Sequence, residues 1–400
     1  MQLSKRVGRV EVKCREGTLE HEVPSQQQSK SYLWDEELMV QFLSTLPESI
    51  VFQILLVLPV ESICRFRCTC KSWRELFCSL EFARIHYLSP TPPSEPFALI
   101  SVSFGFLFLC PSKNFSEKYS RECLPLVNLP SRGILTQNSV CSHGMVCYTT
   151  TRDRDIVIVC NPITKKYTVI PKFHSIFLRI KAFYFDHMKR TFKVLVWSEN
   201  NYWIFSSLTR CWKKVVGSLP DSINKERLLH VHGVCYGVFS NEDEKMLFAW
   251  NIEQEEEKWE VIPLPSRVTT QVLRSNCSLV EWEGCVCLVH THEGHDLGIW
   301  KLSKEKKWEE VMEVHIYETF VLGGYDFKSP PHRATLDVVP YNRSLFIADV
   351  QSWNVELHLY DISGKRKLSR EFHWLAAPSE GGFPRISPFK PTLFDCNYLG

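Results

Sequence analysis

The sequence predicts an α+β chain of two domains, with a small helical unit near the amino terminus and a larger all-β domain after it. From Leu46 to about Tyr87, apolar residues recur with the spacing of helices. After residue 96 the pattern changes to short β-branched and aromatic runs separated by polar turns, which is typical of strands. Residues 89–96 contain four prolines, which end helices and make a stiff connector. We therefore place the domain boundary there.

The composition is that of a folded protein without a strong overall charge. The 47 basic and 45 acidic residues give a formal net charge of +2, so we expect no direct binding to nucleic acid or to an acidic membrane. Residues 1–40 have little periodic apolar content, and we interpret them as a disordered lead without a secretory signal. The longest apolar stretch, residues 97–110, is shorter than the roughly 18–20 residues that span a bilayer. Sixteen cysteines fall below the ~8–10% of a disulfide scaffold, so we expect a reducing location, nuclear or cytoplasmic.

The first predicted helix, from about Pro47 to Leu58, is apolar around nearly its whole circumference. Eight of the 11 residues from Glu48 to Leu58 are apolar. A helix of this kind must be covered on every side. A unit of about 40 residues is too small to supply that cover alone. The sequence therefore predicts that a partner covers part of this helix.

The segment that follows, residues 58–77, carries three cysteines within seven positions beside the basic residues Arg65, Arg67, Lys71 and Arg74. If the segment is one helix, a single stripe contains Ile63, Phe66, Cys70, Trp73 and Phe77. Cys64 and Cys68 then lie on another side, so the three thiols do not converge on a tetrahedral zinc ion. We expect the thiols to pack as small hydrophobic groups and the basic residues to form a solvated face, rather than to bind a metal or a phosphate.

The helical unit also carries an ordered set of short motifs. They are Leu46-Pro47-Glu48, Ile54-Leu55, Leu58-Pro59-Val60-Glu61-Ser62-Ile63, Arg65-Phe66-Arg67-Cys68 and Cys70-Lys71-Ser72-Trp73, followed by Phe82 and His86. In order and spacing these motifs resemble a plant-type F-box, which we place at residues 44–88. The resemblance implies a three-helix module that docks on a Skp-family adaptor, which links it to a cullin and a ubiquitin-transfer enzyme.

The resemblance also implies which residues form the docking site. Those that face the adaptor or support that face are Leu46, Pro47, Ile50, Ile54, Leu58, Pro59, Ile63 and Cys70. Phe66 and Trp73 complete the implied site by packing the module.

The β domain repeats a unit of a strand, a turn, a strand, a polar hairpin and a strand, and most units then close with a further short run such as KYTVI or KWEVI. The similar stretches are residues 142–171, 181–215, 231–265, 279–311 and 336–368. A period of about 40–50 residues built from four strands is the signature of propeller blades. With a further blade from residues 96–135, the sequence predicts an all-β propeller of six or seven blades. We expect the recurring tryptophans Trp212, Trp259 and Trp308 to pack between blades.

A second, looser resemblance covers this domain. Residues 161–171, NPITKKYTVIP, are similar to the strand pattern of the kelch-like or F-box-associated β domains that follow plant F-boxes. We place the propeller at residues 97–390 and a C-terminal tail at residues 391–400.

Motifs for catalysis or metal binding are weak by comparison. The run HTHEGH from His290 to His295 is the most metal-like, but its position fits a polar blade hairpin and no second cluster pairs with it. The sequence has no nucleophile elbow, no phosphate-binding glycine loop and no H-E-x-x-H motif. We expect no catalytic residue, no metal site and no cofactor.

Together with these expectations, the two resemblances imply that the chain is a non-catalytic substrate-recognition subunit of an SCF-type (Skp–cullin–F-box) ubiquitin ligase. The F-box would dock the Skp adaptor, and the propeller would bind a target protein for ubiquitination. An alternative from another class is an adaptor or transcriptional cofactor that recruits partners through the propeller without their degradation.

Overall fold

The fold was obtained as a computed structural model of the 400-residue chain. The structure describes residues 46–89, 98–102, 105–109, 124–125, 139–149, 156–173, 178–215, 228–241, 244–252, 259–269, 277–291, 296–315, 335–341, 344–350, 354–361, 366–373, 385–394 and 396. The predicted amino-terminal lead and most of the proline-rich connector lie outside these residues.

Four helices form the amino-terminal unit: α1 (Glu48–Leu56), α2 (Val60–Phe66), α3 (Lys71–Cys78) and α4 (Leu80–Leu88). Pro47 and Pro59 stand immediately before α1 and α2, where a missing N–H costs no helical hydrogen bond. A short fifth helix, α5 (Ser266–Thr269), lies in the β domain. None of the helices in the described part of the chain is long and apolar enough to cross a membrane.

The stripe predicted on one helix over residues 63–77 is interrupted. Helix α2 ends at Phe66, whose carbonyl accepts a hydrogen bond from the Thr69 hydroxyl at 2.8 Å. Cys70 is extended, with φ −150° and ψ 165°, and α3 begins after it. A hydroxyl that bonds a backbone carbonyl three residues earlier gives the chain an alternative to further helix. The prediction of one continuous helix is therefore wrong.

The number of helices also differs from the three that the F-box resemblance implies. Ser79 has φ −69° and ψ 144°, which ends α3. Its hydroxyl accepts a hydrogen bond from the Phe82 amide at 3.2 Å and thereby caps α4. The break at this serine divides the last helix of the unit into two.

A continuous series of aromatic contacts joins the four helices. Phe52 of α1 meets Phe82 of α4 at 5.7 Å between ring centroids, and Phe66 of α2 meets Trp73 of α3 at 5.2 Å. Phe77 contacts both Trp73 and Phe82, at 5.6 and 5.1 Å. Each edge-to-face pair contributes about 0.5–1.5 kcal/mol beyond the burial of its area. The helices consequently share one core.

The described residues of the β domain form six four-stranded antiparallel sheets. Their strands are β1 (Ala98–Val102), β2 (Gly105–Leu109), β3 (Leu124–Pro125), β4 (Val140–Ser142), β5 (Met145–Thr149), β6 (Val157–Asn161), β7 (Lys166–Val169), β8 (Arg179–Asp186), β9 (Thr191–Ser198), β10 (Asn201–Ser206), β11 (Cys211–Lys214), β12 (Leu229–Val231), β13 (Val234–Asn241), β14 (Glu244–Asn251), β15 (Glu260–Pro263), β16 (Cys277–Trp282), β17 (Cys285–Thr291), β18 (Asp296–Leu302), β19 (Trp308–His315), β20 (Thr335–Tyr341), β21 (Ser344–Val350), β22 (Asn354–Asp361), β23 (Arg366–His373) and β24 (Arg385–Pro388). Sheet 1 combines β24 with β1, β2 and β3, and sheets 2 to 6 take four consecutive strands each.

The six sheets form a closed ring. The first strand of each sheet contacts the first strand of the next, in the order β24, β4, β8, β12, β16, β20 and back to β24. The ring closes where β24 pairs with β1, from Ala98 opposite Pro388 to Ser101 opposite Arg385. Four-stranded sheets arranged radially in this way make a β-propeller. The predicted order of a helical unit followed by a propeller is confirmed.

The turns between strands define two faces of the ring. In sheets 2, 4 and 5 the first and second strands are joined by the two-residue turns His143-Gly144, His232-Gly233 and Glu283-Gly284. Both residues of each turn have a positive φ, between 47° and 82°, as hairpin turns of type I′ require. We call the face that carries these turns the first-turn face. Because neighbouring strands are antiparallel, the fourth strand of each sheet ends at the opposite face.

Two of the recurring tryptophans connect neighbouring sheets. The indole N–H of Trp212 in sheet 3 donates to the Pro171 carbonyl after sheet 2, at 2.9 Å. Trp308 of sheet 5 donates to the Pro263 carbonyl of sheet 4, at 2.8 Å. The predicted packing between blades is confirmed for these two residues. Trp259 contacts Phe239 and Phe248 of its own sheet and packs against a cluster that also contains Tyr202 and Ile204 of sheet 3, but no hydrogen bond between sheets is described for its indole.

The described residues of the segment that the sequence sets apart as a C-terminal tail, 391–394 and Cys396, pack against the propeller, and the Cys396 thiol donates to the Lys166 carbonyl of β7 at 3.3 Å. Residues 391–394 are buried. The buried amide of Asn161, on β6, donates to the carbonyls of Thr392 and Phe394, both at 2.8 Å. The sequence pattern does not show this packing, because the segment lacks the alternation of a strand and its partner lies 231 residues away from Thr392.

Replacing Trp308 or Trp212 with phenylalanine removes the hydrogen bond between sheets but keeps an aromatic ring. We expect each variant to lose about 1–2 kcal/mol of unfolding free energy, from the lost hydrogen bond and the smaller ring. Urea unfolding followed by circular dichroism measures the loss. Trp259→Phe is the matched control, and an equal loss in that variant would contradict the role of the inter-sheet bonds.

Candidate functional site

Helix α1 divides its apolar residues between the core and the solvent. Leu55 and Leu56 are buried in the core, with 1% and 7% of their surface exposed. Ile50 and Val57 are 48% and 57% exposed, and Ile54 is half-buried. Ile50, Ile54 and Val57 are spaced i, i+4, i+7 and therefore share one face of the helix. We call these three residues the α1 stripe, and the described residues of the chain leave this stripe only partly covered, as the sequence predicts.

The predicted docking residues fall into three groups by burial. Pro47, Ile50 and Cys70 are exposed; Leu46, Ile54, Leu58, Pro59 and Trp73 are half-buried; Ile63 and Phe66 are buried. The fully buried Ile63 belongs to the core and can only support the surface from behind. Phe66 has the same role, since its ring packs edge-to-face against Trp73.

One exposed residue, at the carboxyl-terminal cap of α1, is absent from the predicted site. Val57 is the most exposed member of the α1 stripe. Its spacing of seven from Ile50 is the signal that identifies it, because residues one helical repeat apart lie on the same face. Leu58, which the prediction includes, instead packs against the core.

Cys70 caps a helix at the edge of this unit. Its sulfur accepts a hydrogen bond from the Trp73 amide at 3.5 Å, and hydrogen bonds from the Ser72 hydroxyl and the Trp73 amide lower the pKa of Cys70. Cys68 and Cys70 are both exposed, because the break before α3 turns them out of the core. The expectation that these two thiols pack as small hydrophobic groups is wrong.

The basic residues beside the cysteines bond within the unit itself. The guanidinium of Arg67 donates to the Phe77 carbonyl at 2.8 Å, and Arg74 donates to the Arg67 carbonyl at 3.3 Å. Arg65 forms an exposed ion pair with Glu61 at 2.8 Å, a kind of contact that contributes at most about 1 kcal/mol. The contacts of Arg67 and Arg74 join α2 to α3. The three arginines do not converge on one anion site.

His86 connects α4 to the end of the first helix. Its Nε2 lies 2.8 Å from the Leu58 carbonyl oxygen, so Nε2 carries the proton and donates. Burial, followed by the nearby charge of Lys390, lowers the pKa of His86, although the Leu58 bond raises it. The neutral imidazole therefore holds the chain between α1 and α2 in place, directly after the α1 stripe.

The histidine-rich run in the propeller contributes one described histidine. His290 is fully buried on β17, and its ring lies 6.1 Å from that of Trp300. Residues 292–295, which hold the other two histidines of this run, lie outside the described residues. Among the residues that the structure describes, no group of three or more His, Cys, Asp or Glu could hold a metal ion.

Comparison with known families separates the chain at the same boundary as the structure. Residues 43–85 match the F-box domain family. Residues 100–321 match the family described as F-box associated beta propeller domain. The two matches cover the helical unit and most of the ring of sheets.

Three similar plant proteins are named as F-box proteins. "F-box protein At5g49610" of Arabidopsis thaliana is 23% identical over 285 residues, which are 64% of this chain and 75% of the relative. "Putative F-box protein At3g52320", also of Arabidopsis thaliana, is 30% identical over 34% of this chain and 35% of its own length. "Putative F-box/kelch-repeat protein At1g15680" of the same plant is 20% identical over 68% of this chain and 72% of the relative.

The neutral state of His86 predicts an acid sensitivity of the helical unit. Because the pKa of His86 is lower in the folded chain than its ordinary value of 6.5, the unfolded chain binds the proton more readily. The free energy of unfolding is therefore highest above pH 6.5 and falls below it, by up to about 1.4 kcal/mol per pH unit, until the folded-state pKa is reached.

The variant His86→Gln isolates this contribution, since glutamine keeps an N–H donor and does not titrate. We expect wild type to lose more unfolding free energy than the variant between pH 7.5 and pH 4.5 in urea titrations. Identical pH profiles of the two proteins would show that His86 does not carry the effect.

Proposed function

The chain belongs to the family of F-box proteins with an F-box-associated β-propeller domain, and from this premise we propose that it is the substrate-recognition subunit of an SCF-type ubiquitin ligase. Its F-box docks a Skp-family adaptor, and its propeller binds the protein to be ubiquitinated. A location in the nucleus or the cytoplasm is part of this proposal.

The observation that carries the proposal is the α1 stripe. The helical unit fills its core with Leu55, Leu56 and the aromatic series, and leaves Ile50 and Val57 about half exposed. Burying the exposed half of such side chains contributes on the order of 1 kcal/mol each. An adaptor that covers the stripe gains this contribution, and Ile63 and Phe66 keep the surface rigid from below.

The two faces of the propeller suggest where the target binds. The helical unit contacts the first-turn face through the turn residues His143 and Met188. At this opposite face the fourth strand of one sheet ends and the first strand of the next begins, and the sequence segments between those strands are residues 126–139, 170–178, 215–228, 264–276, 316–334 and 374–384. We infer that this opposite face of the six-bladed ring holds the target, since the described contacts of the F-box lie on the first-turn face and connecting segments are where binding residues concentrate.

No residue of the chain needs to act on the target chemically. A receptor that holds a target near the charged ubiquitin carrier raises the effective concentration of the reacting groups. In this proposal the α1 stripe binds the adaptor and the opposite face of the ring binds the target.

The double variant Ile50→Asp with Val57→Asp tests the docking surface. Both side chains are exposed, so the unit should still fold, whereas two carboxylates at a buried interface would remain unpaired at a cost of several kcal/mol. We expect the affinity for a purified Skp-family adaptor to fall at least about 100-fold. Co-elution on a sizing column and calorimetric titration measure it.

The matched control is Leu208→Asp, which places the same charge on a propeller residue that is 78% exposed. Wild type and this control should co-elute with the adaptor. Failure of the wild-type chain to bind would overturn the proposed function. Unchanged binding by the double variant would instead show that the adaptor uses another surface.

A further inference from the structure

The end of α4 rests on the first-turn face of the propeller. The Tyr87 hydroxyl lies 2.6 Å from Nδ1 of His143, in the first turn of sheet 2. The Tyr87 ring also lies 5.1 Å from the ring of His187, in the corresponding turn of sheet 3. One turn earlier on α4, the Arg84 guanidinium donates to the Met188 carbonyl. Two neighbouring sheets thus contact the same helix.

The protonation states at this contact suit a neutral hydrogen bond. Burial raises the pKa of Tyr87 well above its ordinary value, so the hydroxyl keeps its proton. Burial, with the nearby His187, lowers the pKa of His143 to about 4, so its ring is neutral near pH 7. The Tyr87 O–H therefore donates to Nδ1 of His143, and neither partner carries a charge that water would compete for.

The C-terminal residues also pack against Tyr87. The Lys390 ammonium lies 4.7 Å from the Tyr87 ring centroid, within the range of a cation–π contact. The same ammonium lies 3.5 Å from the Ser89 carbonyl, at the end of α4. Phe394 places its ring 5.7 Å from Tyr87 and 5.5 Å from Phe185.

Sheet 2 also contacts this C-terminal segment, residues 390–394. The Asn161 amide donates to the Thr392 and Phe394 carbonyls. A Cβ atom added to Gly144 would overlap the Lys390 carbonyl and lie 2.6 Å from Cγ2 of Thr392. The segment therefore lies directly on the His143-Gly144 turn, between the propeller and the last helix of the F-box.

We propose that residues 389–394 form a clasp that locks the F-box onto the first-turn face of the propeller, so that the two domains behave as one body. We call these residues the C-terminal clasp. The clasp fixes the α1 stripe relative to the opposite face of the ring. This inference goes beyond adaptor binding and holds for the chain alone, whatever the F-box docks.

A pair of glycine variants tests the clasp. Gly144→Ala and Gly284→Ala both place a side chain in an equivalent turn, at φ values of 76° and 73°. Only the first collides with the backbone of the clasp, because the added Cβ of Gly284→Ala would meet the movable His232 ring at 3.2 Å. The strain of the positive φ is therefore common to both variants, and the difference between them reports on the clasp.

A second pair tests the contact on α4. Tyr87→Ala removes the residue that both the clasp and the turns touch. Leu88→Ala, at the adjacent position, removes a side chain that is 68% exposed. All four variants are compared with wild type as full chains.

Hydrogen–deuterium exchange of the backbone amides is the measurement. We expect Gly144→Ala and Tyr87→Ala to raise the exchange rates of α4 and of residues 187–190 at least about tenfold. The two controls should stay within about twofold of wild type. Strand β9, in the interior of sheet 3, should keep its wild-type rate in all variants, because undocking leaves the ring closed.

Two results would overturn the proposal. One is unchanged exchange of α4 in both test variants, which would mean that the clasp does not hold the helix. The other is a rise in β9 equal to that in α4, which would mean that docking is not an event separate from folding of the ring. Adaptor co-elution, measured on the same proteins, should be retained throughout, so a failure of the adaptor proposal is distinguishable from a failure of the clasp.

Discussion

The antiparallel pairing of β24 with β1 is the constraint on which the rest of the structure depends. It places a strand from the end of the chain innermost in sheet 1, next to the first strand after the F-box. The chain leaves β24 at the first-turn face, and because β1 runs in the opposite direction, the chain also enters β1 from that face. The F-box and the C-terminal residues are thereby brought to the same side of the ring before any side-chain contact is considered. The contacts of Tyr87 and Phe394 build on this arrangement.

The same topology separates the two kinds of surface. Short hairpin turns with positive φ give the first-turn face a compact outline that a helix end can approach closely. The α1 stripe belongs to another helix of the same unit, so docking through α4 leaves it uncovered. The α1 stripe therefore belongs to the unit that contacts the first-turn face, whereas the fourth strands of the sheets end on the opposite side of the ring.

The sequence was sufficient for the order of the domains, for the repeat of four strands and for an uncovered side of α1, because these depend on local periodicity. It did not locate the break between α2 and α3, which follows from one hydroxyl–carbonyl bond of Thr69. Nor did it assign the sides of α1, since a helix apolar all round contains no signal for which side is inside. The packing of residues 391–394 was equally hidden, because their partner Asn161 lies far away in the sequence and no short motif marks such a contact.

The connections between sheets have a consequence for how such chains can diverge. Each begins and ends at strands whose positions the ring already fixes, and the entropy of closing a loop grows only slowly with its length. Residues 170–178 separate β7 from β8 and the longer segment 316–334 separates β19 from β20, although both strand pairs occupy equivalent places in the ring. After a gene duplication, insertions and substitutions in these segments can accumulate without altering the ring or the contact between α4 and the first-turn face. A new binding preference can then arise in a copy that inherits the F-box and its α1 stripe unchanged.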